Sequence, residues 1–109
     1  DYLYTTNHYQ VKSFEQYSDP SLIPPNSVER FNKVKNFLEN RKSKIALKDI
    51  IEFLKSHEEG VCNHFEFEGR KCGTIYSWVT EIDKTSDPIH LMATIGPPCK
   101  FNYEKYTFS

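Results

Sequence analysis

Asn7, His8 and Arg30 are the residues of this chain whose types and placement could do chemistry. Asn7 and His8 follow Thr6 at the end of a segment with strand composition. An asparagine amide there offers two N–H donors to a developing oxyanion. The plainer reading is an Asx turn that closes the strand. Arg30 falls inside a helical apolar stripe, four residues before Val34 and seven before Phe37, so the helix carries its guanidinium toward the side it must bury. An arginine in that position needs a partner. It is either a snorkelling stem or one half of an internal carboxylate pair, or it is a positive charge aimed into a pocket.

No Ser-His-Asp order, Gly-rich phosphate loop or paired metal-ligand spacing accompanies these residues. His64 and His90 sit in alternating stretches and read as half-buried structural histidines. Cys62, Cys72 and Cys99 are odd in number and lack a C-x-x-C spacing, so neither a disulfide framework nor a zinc site follows. They are expected to be buried free thiols, with no metal and no cofactor. Spacing alone declares no active site.

The elements that must position Asn7 and Arg30 can be read from periodicity. Residues 2–9 have strand composition, and residues 10–25 form a long connection broken by Asp19-Pro20 and Pro24-Pro25. Its aromatics Tyr9, Phe14 and Tyr17 argue that it packs. Asn26 with Glu29 is a capping-box pattern that opens a helix over 27–41, with Phe31, Val34, Phe37 and Leu38 on one face. Leu47, Ile50, Ile51 and Leu54 place a second helix over 46–57, stopped by Gly60. From there the period shortens. Strands are expected at 61–67, 73–83 and 89–95, with a turn at 68–71, a loop at Lys84-Thr85-Ser86-Asp87-Pro88, and a further extended piece from Phe101 to Tyr106. This order predicts an α+β fold whose two helices could lie on one face of a mostly antiparallel sheet.

Composition sets the limits. At 109 residues the chain has room for one domain. Lys plus Arg at 14 against Asp plus Glu at 15 leaves a net charge of −1, which argues against nucleic acid as a partner. No run approaches the roughly 20 apolar residues of a membrane span, and no signal peptide is visible. The seven asparagines include no glycosylation sequon. A reducing cytoplasm is the expected location. The chain opens without Met directly on strand-like Tyr2-Leu3-Tyr4-Thr5-Thr6, and its mean hydropathy of −0.65 accompanies 15% aromatics. Both features predict a missing segment that covers the strands.

Three stretches in order, Thr5-Thr6-Asn7-His8-Tyr9, Ser27-Val28-Glu29-Arg30-Phe31, and Gly73-Thr74-Ile75-Tyr76-Ser77 through Ile95-Gly96-Pro97-Pro98-Cys99, resemble the C-terminal part of the linear amide C–N hydrolases. That group includes choloylglycine hydrolases, penicillin V acylases and acyl-coenzyme A:6-aminopenicillanate acyltransferases, and the first and last stretches look most like the acyltransferase branch. The resemblance spans about residues 3–106. It implies part of an αββα sandwich of the N-terminal nucleophile type, in which autocatalytic cleavage frees a Cys whose thiol attacks an amide while its α-amine handles the proton. By the same resemblance Asn7 corresponds to an oxyanion-holding asparagine, and Arg30 to an arginine directed at the nucleophile, whose thiol pKa it would lower.

The chain departs from that family in one respect. The nucleophilic Cys and the acidic residue after it belong upstream of Asp1, and an internal thiol has no adjacent α-amine. The resemblance therefore implies a C-terminal piece, inactive alone, whose partners are the upstream part of the same enzyme and a small amide substrate. The competing expectation is a non-catalytic binding or interaction domain, with the aromatic connection as its contact surface.

Overall fold

The computed structural model describes residues 3–23, 26–41, 44–82 and 89–108. The expectations at Asp1-Tyr2, Pro24-Pro25, Lys42-Ser43 and the loop Lys84 to Pro88 lie outside the described residues. The chain divides into two compact units, Asp1–Lys44 and Ile45–Ser109.

In the first unit residues 3–9 join no sheet, and the chain bends at Asn7 and His8. Their burial nevertheless alternates as a strand's does: Tyr4, Thr6 and His8 turn inward, while Leu3, Thr5, Asn7 and Tyr9 are exposed. A strand needs a neighbour to take its backbone hydrogen bonds. No other strand occurs among this unit's described residues, so the expected strand over 2–9 is not formed here. The connection that follows folds into two 3₁₀ turns, Lys12–Tyr17 and Pro20–Leu22. Its aromatics do pack on one another, with Tyr9 and Phe14 ring centroids 6.1 Å apart and Phe14 and Tyr17 at 6.4 Å.

Helix α1 spans Ser27–Glu39 and half-buries Phe31, Val34, Phe37 and Leu38. Asn26 is its N-cap, but the capping box does not form, because the Asn26 side-chain oxygen accepts from Arg30 Nε instead. Glu29 pairs with Lys33 at 3.1 Å rather than reaching back to the cap. Tyr4 lies against Phe31, ring centroids 5.1 Å apart, and so pins the extended segment to the helix.

In the second unit helix α2 spans Leu47–Lys55, and Asp49 accepts from the Ala46 backbone N–H at 3.0 Å to close its start. The chain turns extended at Ser56 and doubles back at Gly60, where any Cβ would lie 1.8 Å from the Phe53 carbonyl oxygen. Glycine at this position is a packing requirement.

Among the described residues five antiparallel strands follow. β1 (His64–Phe67) pairs with β2 (Arg70–Gly73) across a two-residue turn in which Glu68 and Gly69 both have positive φ. The expected single strand over 73–83 is divided, because Thr74 bonds back to Asn63 while the Ile75 carbonyl accepts from Gly96 N–H. The partner changes between those residues. β3 (Tyr76–Glu81), β4 (Ile89–Ile95) and β5 (Glu104–Phe108) make a second sheet in that order. α2 packs on β3, where Phe53 and Val79 are buried. The other face of the sheet carries Tyr76, Trp78, Ile95, Tyr106 and Phe108, which share a side by register. It is exposed, with Trp78 at 59% and Ile95 at 82%. The architecture is α+β with antiparallel sheets.

Candidate active site

The candidate site forms where the extended segment crosses the start of α1. Because Tyr4, Thr6 and His8 alternate inward, they meet the first turn of the helix. There the Ser27 hydroxyl donates to Thr6 Oγ1 at 3.2 Å, and His8 Nδ1 lies 2.8 Å from Ser27 Oγ and 3.1 Å from Thr6 Oγ1. Phe31 meets the His8 ring edge-on at 5.6 Å. Three polar side chains thus satisfy one another beneath an aromatic cover, as buried polar groups must. A serine beside a histidine invites a nucleophile reading, but Ser27 is 0% exposed and no substrate carbonyl can reach it. The triangle fixes the backbone on either side of Asn7.

Asn7, at the outward position between Thr6 and His8, meets Arg30. Arg30 Nη2 donates to Asn7 Oδ1 at 2.6 Å, and Arg30 Nε donates to Asn26 Oδ1 at 3.3 Å. Asn7 and Arg30, two of the residues singled out by sequence, are therefore in direct contact. The bond engages the carbonyl end of the amide and turns its two N–H donors outward. Among the described residues no carboxylate pairs with Arg30. Two neutral oxygens orient the guanidinium but leave its charge uncompensated, so the half-buried cation keeps its attraction for an anion.

The segment Thr5 to Tyr9 also forms one wall of a concavity of about 490 Å³, completed by Tyr17, Ser18, Asp19, Leu22 and Ile23. The volume falls within the range of small-ligand pockets. The Ser21 side chain, and then its backbone N–H, hold the Asp19 carboxyl below its ordinary 3.8.

Sequence reasoning missed Thr6, His8 and Ser27 as a unit. The available signal was alternation: once Asn7 faces outward, Thr6 and His8 must face the helix. In the second unit, His57, Cys62, His64 and Cys99 bring one potential metal-ligating atom each to within 4.8 Å of one another. Local spacing could not show this, since the four come from three separate segments. His64 is exposed rather than half-buried, while His90 is half-buried and bonded to Thr107. All three cysteines are free thiols, and Cys62 alone is fully buried. Burial raises the Cys62 thiol pKa. No helix among the described residues is long and apolar enough to cross a membrane.

No curated protein and no solved structure matches the chain. The family model described as acyl-coenzyme A:6-aminopenicillanic acid acyl-transferase matches residues 1–92, a span that contains Asn7, Arg30 and strand β3, and the chain belongs to that family.

Proposed function

We propose that this chain is the C-terminal part of a cysteine amidohydrolase or acyltransferase acting on linear amide bonds, and that Asn7 and Arg30 are its contribution to catalysis. The observation that carries the reading is the 2.6 Å bond from Arg30 to Asn7. It presents an amide donor pair beside a cation, as stabilising an oxyanion requires.

The nucleophile comes from the preceding part of the enzyme, an N-terminal Cys whose α-amine accepts the thiol proton. Its sulfur attacks the amide carbonyl, and the carbonyl electron pair moves onto oxygen, where Asn7 N–H donors hold it. The C–N bond then breaks, and the amine leaves with the proton held by the α-amine. Water or a second amine resolves the thioester, giving hydrolysis or acyl transfer. Arg30 serves twice, fixing the Asn7 amide and placing positive charge near the thiolate.

Two features favour a part over an independent binding module. Residues 3–9 alternate like a strand yet lack a ladder partner, and the aromatic face of the three-stranded sheet is uncovered. Both are supplied if the segment and the sheet belong to an αββα sandwich completed by the upstream part. The test is turnover of a small amide substrate by the complete enzyme carrying Asn7→Ala. Loss of activity with the fold intact supports the reading, and unchanged turnover removes it.

A further inference from the structure

The second unit gathers four side chains that the acyl-transfer reading does not use. His57 follows α2, Cys62 and His64 flank the entry to β1, and Cys99 lies in the turn after β4. We propose that His57, Cys62, His64 and Cys99 form a closed tetrahedral metal site of two thiolates and two imidazoles that takes Zn²⁺.

The distances fit the ion. Zn–S bonds of about 2.3 Å and Zn–N bonds of about 2.0–2.1 Å at tetrahedral angles place sulfur and nitrogen about 3.6 Å apart. His64 Nε2 lies 3.8 Å from Cys62 Sγ and 3.2 Å from Cys99 Sγ, on either side of that value. The His57 and His64 rings stand at 87° to each other with centroids 5.0 Å apart, which lets both converge on one point without stacking. The ligand set of borderline-soft sulfur and imidazole nitrogen suits Zn²⁺ and disfavours Mg²⁺ or Ca²⁺.

The backbone is built to hold these ligands. Cys62 N–H donates to Ser56 O at 3.1 Å and Val61 N–H to Phe53 O at 3.4 Å, so the loop carrying His57 and Cys62 closes on the end of α2. The near-contact at Gly60 permits that closure. Cys62 and His64 are two residues apart on extended chain and project to one side. Opposite His64 stands Gly73, where a Cβ would lie 2.9 Å from His64 Nδ1. Lys100 and Phe101 N–H both bond to Pro97 O and fix the turn that presents Cys99. Asn63, the residue between Cys62 and His64, is tied to Thr74 twice, its N–H donating to Thr74 Oγ1 at 3.1 Å and its carbonyl accepting from Thr74 N–H at 2.8 Å, which fixes the backbone between the two ligands.

Binding releases one proton from each thiol to solvent, and the two imidazoles bind through neutral nitrogens, so Zn²⁺ with two thiolates is electrically neutral. Four protein ligands leave no open position, which makes the site structural rather than catalytic. It ties α2 and β1 to the end of β4, in a unit whose buried apolar side chains among the described residues are Phe53, Cys62, Val79 and Pro98. A small unit with so little core gains most from such a staple.

The test uses the protein purified with reductant and without chelator, comparing native with denaturing mass, then replacing the metal with Co²⁺. One Zn²⁺ per chain, and a cobalt form with sulfur-to-metal charge transfer and intense tetrahedral visible bands, are expected. Cys62→Ser and Cys99→Ser should abolish the charge-transfer band or shift it strongly, whereas Cys72→Ser should leave it unchanged. A metal-free native mass, an octahedral cobalt spectrum, or a Cys62–Cys99 disulfide in the reductant-purified protein would each overturn the site.

Discussion

Arg30 reaches Asn7 across 23 residues of sequence and donates to its side-chain oxygen at 2.6 Å, so the orientation of one amide depends on one guanidinium. If Arg30 acts through Asn7, the two residues are energetically coupled. In the complete enzyme Asn7→Ala should lower kcat by about 10²–10³, the cost of an oxyanion donor. Arg30→Ala should lower kcat with little change in Tm, and the double variant should lose less than the sum of the two. Additive losses would assign Arg30 a separate role. A fully active Arg30→Ala enzyme with a depressed Tm would make the arginine structural.

Ser27 should behave as a structural residue despite its contact with His8. Ser27→Ala leaves Thr6 and His8 without their buried common partner, which costs about 1–3 kcal/mol. Chemical denaturation should register that loss, while kcat per folded molecule stays within a few fold. Abolished turnover in a stably folded Ser27→Ala enzyme would contradict the assignment.

Part of this arrangement was legible in the chain. Phe31, Val34, Phe37 and Leu38 fall on one helical face by spacing alone, and α1 half-buries all four. Arg30 could be flagged because it interrupts that stripe. The turn expected over residues 68–71 is confined to Glu68 and Gly69, where φ is positive, while Arg70 and Lys71 already pair with β1 as the start of β2. The capping box failed for a reason invisible to local pattern: the Asn26 oxygen had a better donor in Arg30, a cation on the same helix. Residues 3–9 have a strand's alternation of burial without forming a strand, because that takes a partner the pattern cannot supply. The fourth member of the metal-ligating set was beyond local reading, since Cys99 stands 35 residues beyond His64 and meets it only across the folded sheets.

Acid should probe the turn at Pro20–Leu22. The Asp19 carboxylate accepts from Ser21 Oγ at 2.7 Å and from Ser21 N–H at 2.9 Å, and its pKa is lowered for that reason. A depressed folded-state value means the contribution is present above the ordinary 3.8 and is lost as pH falls through the lower, folded-state value. The Ser21 amide resonance should therefore titrate with a midpoint below 3.8. In Asp19→Ala it should be insensitive to pH in that range. A midpoint at or above the ordinary value would remove the capping interaction.

The uncovered face of the three-stranded sheet separates the fragment reading from the autonomous module. Tyr76, Trp78, Ile95, Tyr106 and Phe108 share that side by register, and Trp78 sits on it next to Ala93 of the neighbouring strand. If the upstream part of the enzyme lays a second sheet there, Trp78→Lys places an ammonium in a dry interface. The cost should be several kcal/mol, unless the lysine escapes to the rim. The same substitution in the 109-residue chain alone faces water and should change stability by about 0.5 kcal/mol or less. Paired denaturation curves of complete enzyme and isolated chain check this directly. A large loss confined to the complete enzyme means the face is an internal surface of a larger sandwich. Equal, small effects in both would mean that water covers the face in each, and the sandwich would have to be assembled some other way.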